Sequence, residues 1–445
     1  MESHKNRVKL NVGGKKFETT ATTLLGAGRN SFFGAMFDEN WNLHSDGPIT
    51  EHFIDRNPDY FGVLLDLLRT GELYIPQNID KKILYREAAY YGILDNVRSA
   101  ECDTFDGNRL RLVKSITVFP SGGGKVTPAI RASLDGWCCV AQGSMVHVYD
   151  WMLEEHPTIS LDYHKVNDVC WVNSESIVVS FDEDLANGGM GLFSASNGEL
   201  KYKFQVTDYM KGLGPSNYIN SAIDFSSDYK LFSSWESTTS YGHRIGVWDI
   251  VTGKLMDFLC CPPDCSRKNA TRLQWLHDTN CVMAVYSHPK NDICLFDIRQ
   301  RNMVWTLDRD RKKQYLADIE DAIAIEESSS ICVVDWNECL SFMDLRSTDR
   351  SVNWRKSTKG VAPSHFRVNI KTCYPKLAYH KGQLFSSMED RISVYCGSNW
   401  IVTSEFRQSH GGSICDFSIG GDRLFALRKE ENVIHLWETP RPPII

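Results

Sequence analysis

The chain has 445 residues, 42% hydrophobic and 24% charged, with Lys+Arg 49 against Asp+Glu 56 and a net charge of -7. Such a length holds about two or three domains, or a small domain joined to a large all-β one, and the acidic balance argues against a nucleic-acid partner held mainly by phosphate contacts, leaving open only a local basic patch. No apolar run reaches the roughly 18–20 residues that span a bilayer. The opening "MESHKNRVKL" has no apolar core of the signal-peptide kind, and the 14 cysteines are scattered through strand-like segments, as befits reduced thiols in a cytoplasmic or nuclear protein.

"VKLNVGGKKFETT" (residues 8–20) predicts a β-hairpin: Val8, Leu10 and Val12 alternate with polar residues, and Gly13-Gly14 supplies the positive-φ positions of a two-residue turn. Pairing Val12 with Lys15 sets Leu10 opposite Phe17 and Val8 opposite Thr19. "SFFGAMFDENW" follows, with Phe32, Phe33, Met36 and Phe37 at helical spacing. A longer helix is announced by Asn57 as cap, Pro58 at the first helical position and Asp59 in the first turn, with Phe61, Leu64, Leu65 and Leu68 as its apolar face and Gly71 as its stop. Another runs from Asp80 as cap through Ile83, Leu84 and Ala88 to Tyr91, ended by Gly92. Tyr90 and Tyr91 are consecutive, so both cannot face inward.

These segments make a compact α+β unit over residues 6–104, followed by a linker over 105–114. "LNVGGKKFETT", "FIDRNPDYFGVLLDLLRTGEL" and "EAAYYGI" resemble the BTB/POZ domain of the potassium-channel tetramerisation type, shared by channel cytoplasmic domains and soluble KCTD proteins. The resemblance implies homo-oligomerisation and, as in many soluble members, docking of a cullin scaffold. It implies Phe37, Asp59, Tyr90 and Tyr91 as the cullin-binding residues; Asp55 and Arg56 are candidates for contacts between subunits, or simply an exposed turn. The zinc-binding histidine and cysteines of some channel assembly domains are not recognisable.

From residue 115 to 445 no helical period survives, and an apolar, any, apolar, bulky pattern recurs in its place. Its bulky positions are Tyr149, Phe193, Trp248, Phe296, Met343, Tyr395 and Trp437, separated by 44, 55, 48, 47, 52 and 42 residues. Periods of that length match a four-stranded sheet, and seven of them predict an all-β propeller, a ring of blades with only short protected edges. The repeats resemble WD-repeats: "IGVWDIVTGKL" is close to the family pattern, His410 with "IHLWE" is similar to the repeat's histidine and tryptophan, and Asp390 stands where the structural aspartate belongs. Trp437 leaves too few residues for an outer strand in the last blade, so "SITVF" (115–119) is expected to close the ring beside it.

No catalytic motif of hydrolase, metalloprotease or phosphate-loop type appears, and "SGGGK" (121–125) reads as a turn. Cys260, Cys261 and Cys265 lack a second ligand pair and read as loop cysteines, so neither metal nor cofactor is expected. Trp235, Tyr241 and Trp336 are the candidate partner contacts on the propeller. The reading is that of a non-enzymatic adaptor for a cullin-RING E3 ubiquitin ligase, whose BTB domain oligomerises and docks the cullin while the propeller binds the protein to be ubiquitinated. The alternative is an oligomeric scaffold for signalling or trafficking partners.

Overall fold

The computed structural model describes residues 7–29, 31–37, 51–76, 78–102, 105–118, 129–162, 165–182, 189–205, 218–237, 243–260, 270–286, 292–307, 319–347, 373–407, 412–429 and 432–440. The chain divides into two compact units, Met1–Phe105 and Asp106–Ile445.

In the first unit β1 (Arg7–Val12) and β2 (Lys15–Thr20) pair antiparallel in the expected register, Val12 with Lys15, Leu10 with Phe17 and Val8 with Thr19. Gly13 and Gly14 take φ of 52° and 92°, which lets two residues turn the chain. β3 (His52–Ile54) joins parallel on the other side of β1, giving the order β2-β1-β3. The helices are α1 (Ala21–Leu25), α2 (Phe32–Met36), α3 (Pro58–Thr70), α4 (Lys81–Tyr90) and α5 (Leu94–Cys102). Asn57 caps α3 by accepting from the Asp59 N–H, and Asp80 caps α4 by accepting from the Ile83 N–H. α3 buries Phe61, Val63, Leu64, Leu65 and Leu67, with the Phe61 ring 4.9 Å from Phe17 of β2, whereas Leu68 is only half-buried and Ile83 of α4 is exposed. The apolar stripe of α3 is therefore rotated slightly from the spacing first read.

The second unit is a β-propeller. Among the described residues its strands fall into seven consecutive groups, six of four strands and one, Ile319–Ile325 with Ser330–Asp335 and Leu340–Asp344, of three. The first strands are Ala129–Ala132, Val166–Asn173, Tyr218–Phe225, Arg272–Leu276, Ile319–Ile325, Lys376–His380 and Ile414–Gly420, and each neighbours the next until the last returns to the first. The core lies between blades. One cluster packs Phe232, Ile245 and Val247 of the third blade against Leu273, Val282 and Phe296 of the fourth. Second strands such as Cys281–Tyr286 are buried at every residue because a blade covers each face, which is why they read as unbroken apolar runs.

The ring closes as expected: Arg111–Thr117 pairs antiparallel with Val433–Glu438, setting Ser115 opposite His435 and Leu112 opposite Trp437. The linker expected over 105–114 is corrected. The closing strand begins at Arg111, and Gly107–Arg109 forms a 3-10 turn seated on the sixth blade, where the Gly107 N–H donates to Gln383 Oε1 (2.6 Å) and a Cβ on Gly107 would meet the Phe385 ring at 2.6 Å. "SGGGK" and His410 lie outside the described residues.

Candidate functional sites

On the first unit, burial separates the two tyrosines. Tyr90, the last residue of α4, is 46% exposed, whereas Tyr91 is fully buried, stacked on Phe33 at 5.3 Å and in edge or tilted contact with Phe32 and Phe61. Tyr91 is therefore corrected from a cullin contact to core: no partner reaches a ring packed on all sides. Burial, with Glu87 nearby, pushes its hydroxyl well above the usual tyrosine range.

Tyr90 is held in place at the surface. The Arg56 guanidinium lies over its ring, 4.0 Å from the centroid, and Phe32 stacks on it at 5.8 Å. Arg56 Nε also bonds Glu87 Oε2 at 3.1 Å, and Glu87 is itself buried. The exposed Tyr90 ring is thus held by Glu87 through Arg56, an arrangement that no sequence spacing announces. Asp59 is exposed with Lys15 at 3.5 Å, Asp55 is exposed, and Phe37 is half-buried at the C-cap of α2.

On the propeller, a ring of charged side chains lies on the first strands around the axis. Arg131 Nη1 meets Asp416 Oδ2 at 2.7 Å and its Nη2 meets Asp168 Oδ1 at 2.8 Å, so one guanidinium ties the seventh, first and second blades. Arg272 Nη1 meets Asp321 Oδ2 at 2.7 Å and donates also to the Leu377 carbonyl at 2.8 Å. Each aspartate reaches a backbone N–H of the next blade: Asp416 accepts from Ile130 (3.1 Å), Asp168 from Ile223 (3.2 Å), Asp224 from Trp275 (2.5 Å) and Asp321 from Leu377 (2.8 Å). Gln274 does the same work between the fourth and fifth blades, bonding Ala324 through both its amide atoms.

Burial raises the Asp168 carboxyl despite Arg131 beside it, and burial lifts Asp224, which forms no ion pair among the described residues, to about 6. For Arg131 burial acts to lower the value, but Asp168 and Asp416 more than offset it and keep the guanidinium charged. Toward the first-to-second-strand turns the ring opens into a cavity of about 420 Å³, walled by Leu134, Trp171, Tyr379 and Ile419.

These inter-blade carboxylates escaped the first reading. Their signal is an Asp followed by an apolar residue in a first strand, in "NDVCWV", "AIDFSS", "EDAIAI" and "CDFSI". Asp390 does sit in the turn between second and third strands of its blade, where its carboxylate meets Arg407 Nε at 3.3 Å. Trp235 is corrected from partner surface to blade core: it is 3% exposed, packs on Trp248 and Phe258, and donates its indole N–H to Ser233 Oγ at 2.7 Å. Trp336 is 39% exposed in a second-to-third-strand turn, and Tyr241 lies outside the described residues.

Comparison with known proteins agrees with both units. Residues 8–102 match the BTB/POZ domain family, and residues 121–439 match the family described as "At2g24240-like, C-terminal beta propeller". The chain is 53% identical over 454 residues to BTB/POZ domain-containing protein At4g30940 of Arabidopsis thaliana, covering 99% of each. It is 52% identical over 451 residues to BTB/POZ domain-containing protein At2g24240 of the same plant, again covering 99% of each. The first unit alone is similar to BTB/POZ domain-containing protein KCTD9 of Mus musculus, 36% identical over 93 residues, or 20% of this chain and 27% of that one. Among solved structures, Raptor of Chaetomium thermophilum superposes with a TM-score of 0.54 at 11% identity, over 86% of this chain and 32% of that one, a likeness of fold alone. No helix among the described residues is long and apolar enough to cross a membrane. With a KCTD-type BTB/POZ domain and a propeller matched in order, the chain belongs to the At2g24240-like family of BTB/POZ proteins with a C-terminal β-propeller.

Proposed function

We propose that this protein is a substrate adaptor of a cullin-RING ubiquitin ligase, its BTB domain assembling copies of the chain and docking the cullin while the propeller captures the protein to be modified. The chain performs no covalent step; it works by proximity. The observation that carries the reading is the Tyr90 ring, exposed at the end of α4 and clamped between Arg56 and Phe32 on a KCTD-type BTB domain. A rigid aromatic anchor beside a guanidinium loses little entropy on docking, the property that marks interface hot spots. Asp59 and Phe37 are the secondary contacts, Asp55 lies toward the subunit interface with Arg56, and Trp336 lies toward the propeller's partner. Several copies in one assembly then raise a weak grip on the substrate through effective concentration.

Co-purification of the cullin with the intact protein, repeated with Tyr90→Ala, tests the proposal. Cullin retained by the intact protein and lost with the variant is the expected outcome. A protein that oligomerises but retains no cullin would be the scaffold for signalling or trafficking partners instead.

A further inference from the structure

Where the sixth and seventh blades meet, two thiols face each other. Cys373 comes shortly before the sixth blade's first strand, Lys376–His380, and Cys415 is the second residue of the seventh blade's first strand, Ile414–Gly420, which neighbours it. The ladder to Arg423–Arg428 pairs Ile414 with Arg428 and then Asp416 with Leu427, so Cys415 is the extra residue of a β-bulge, an irregularity that re-aims a side chain. Its thiol donates to the Leu427 carbonyl at 3.3 Å and shares a hydrogen bond with Cys373. Cys415 is buried in the core cluster of Val118, Ile130, Phe425 and Ile434, and the half-buried Cys373 packs against that cluster.

Other thiols are placed differently. Cys138 and Cys139 are adjacent on one strand and point to opposite faces, into separate clusters. Cys396 accepts from Asn108, Gln383 and Thr403, with no sulfur among them. Cys373 and Cys415 are in mutual contact, as disulfide formation requires.

We propose that Cys373 and Cys415 form a reversible inter-blade disulfide when the protein meets a hydroperoxide. The order of events follows from exposure. Cys373, the more accessible thiol, attacks the O–O bond as its thiolate, becoming a sulfenic acid and releasing hydroxide, which takes up the proton that Cys373 gave. The hydrogen bond to Cys373 and burial push the Cys415 thiol well above its usual range, so Cys415 acts second. Its sulfur displaces the sulfenic oxygen, which leaves as water with the Cys415 proton. Two thiols and one hydrogen peroxide thus become one disulfide and two waters, sulfur being oxidised and peroxide oxygen reduced. The two cysteines stand about 40 residues apart, so the bond removes freedom from the unfolded chain and stabilises the ring beside the Asp416–Arg131 ion pair.

Graded hydrogen peroxide on the full-length protein, capping of the remaining thiols with N-ethylmaleimide in denaturant, and mass spectrometry of a non-reducing digest test it. A Cys373–Cys415 peptide pair, two hydrogens lighter than the free thiols and undone by dithiothreitol, is the expected product. The oxidised protein should melt a few degrees above the reduced one, a gain that dithiothreitol reverses. Cys373→Ser, at a half-buried position, should melt with the reduced parent and acquire neither link nor shift on oxidation. Cys373 left as a thiol, driven to sulfinic acid while Cys415 is still capped, or joined to another cysteine overturns the proposal. The link without a rise in melting temperature overturns the stabilising role.

Discussion

Tyr90 and Tyr91 share a covalent bond and little else, and the contrast can be measured. Tyr91→Ala removes a fully buried ring from a cluster of three phenylalanines and should cost about 3–5 kcal/mol of stability in urea unfolding, while Tyr90→Ala should cost under about 1 kcal/mol. The Tyr91 hydroxyl is buried without a hydrogen-bond partner among the described residues, so Tyr91→Phe should be neutral or stabilising. Titration offers a second pair of opposites. Asp224, raised to about 6, binds a proton more tightly folded than unfolded; its contribution is full below pH 4 and is lost as pH rises through 6. His435 is lowered to about 4 by burial and by Arg428, whose Nε donates to its Nδ1 at 3.1 Å. Its contribution, on the order of 2 kcal/mol, is full above pH 6.5 and is lost as pH falls toward 4. Unfolding free energies between pH 4 and 7 should therefore fall less steeply with acid in His435→Gln, and less steeply with base in Asp224→Asn, than in the parent.

Among the elements, those whose pattern is local were legible in the sequence: the hairpin from its alternation and Gly-Gly turn, α3 and α4 from their caps and stops. α1 and α5 were not, because α1 buries only Leu24 and so carries no apolar period, and α5 follows α4 through Gly92 with little apolar contrast. The propeller strands were legible by their third-strand motif, since its bulky residue is buried between blades in most repeats, from Trp248 at 0% to Trp437 at 9% exposed. The carboxylate ring was not, because its partners come from different blades and lie some 37 to 285 residues apart in the chain. The closing strand was foreseen by counting what the last blade lacked. It is also a breakable part: Ile116→Pro removes a ladder donor opposite Ile434 and should cost about 3 kcal/mol, seen as a lower melting temperature and as cleavage near residue 117 in limited proteolysis. An unchanged melting temperature would mean that the ring does not depend on this closure.

At the scale of the molecule, the proposed function divides labour between the two units. In it the BTB unit gathers copies and presents the rigid Tyr90 ring, and the propeller captures a partner, while its polar axial ring is spent largely on holding blades together. What the sequence left unread was placement: which of two adjacent tyrosines faces outward, and which of the propeller tryptophans is core, depend on packing that no local spacing encodes. The measurement that bears most directly on the central claim is calorimetric titration of the purified full-length protein with the purified cullin amino-terminal region. The account predicts saturable binding at micromolar concentrations or tighter, weakened roughly tenfold or more by Tyr90→Ala and unaltered by Tyr91→Phe. No heat of binding from the intact, oligomeric protein at those concentrations would contradict it.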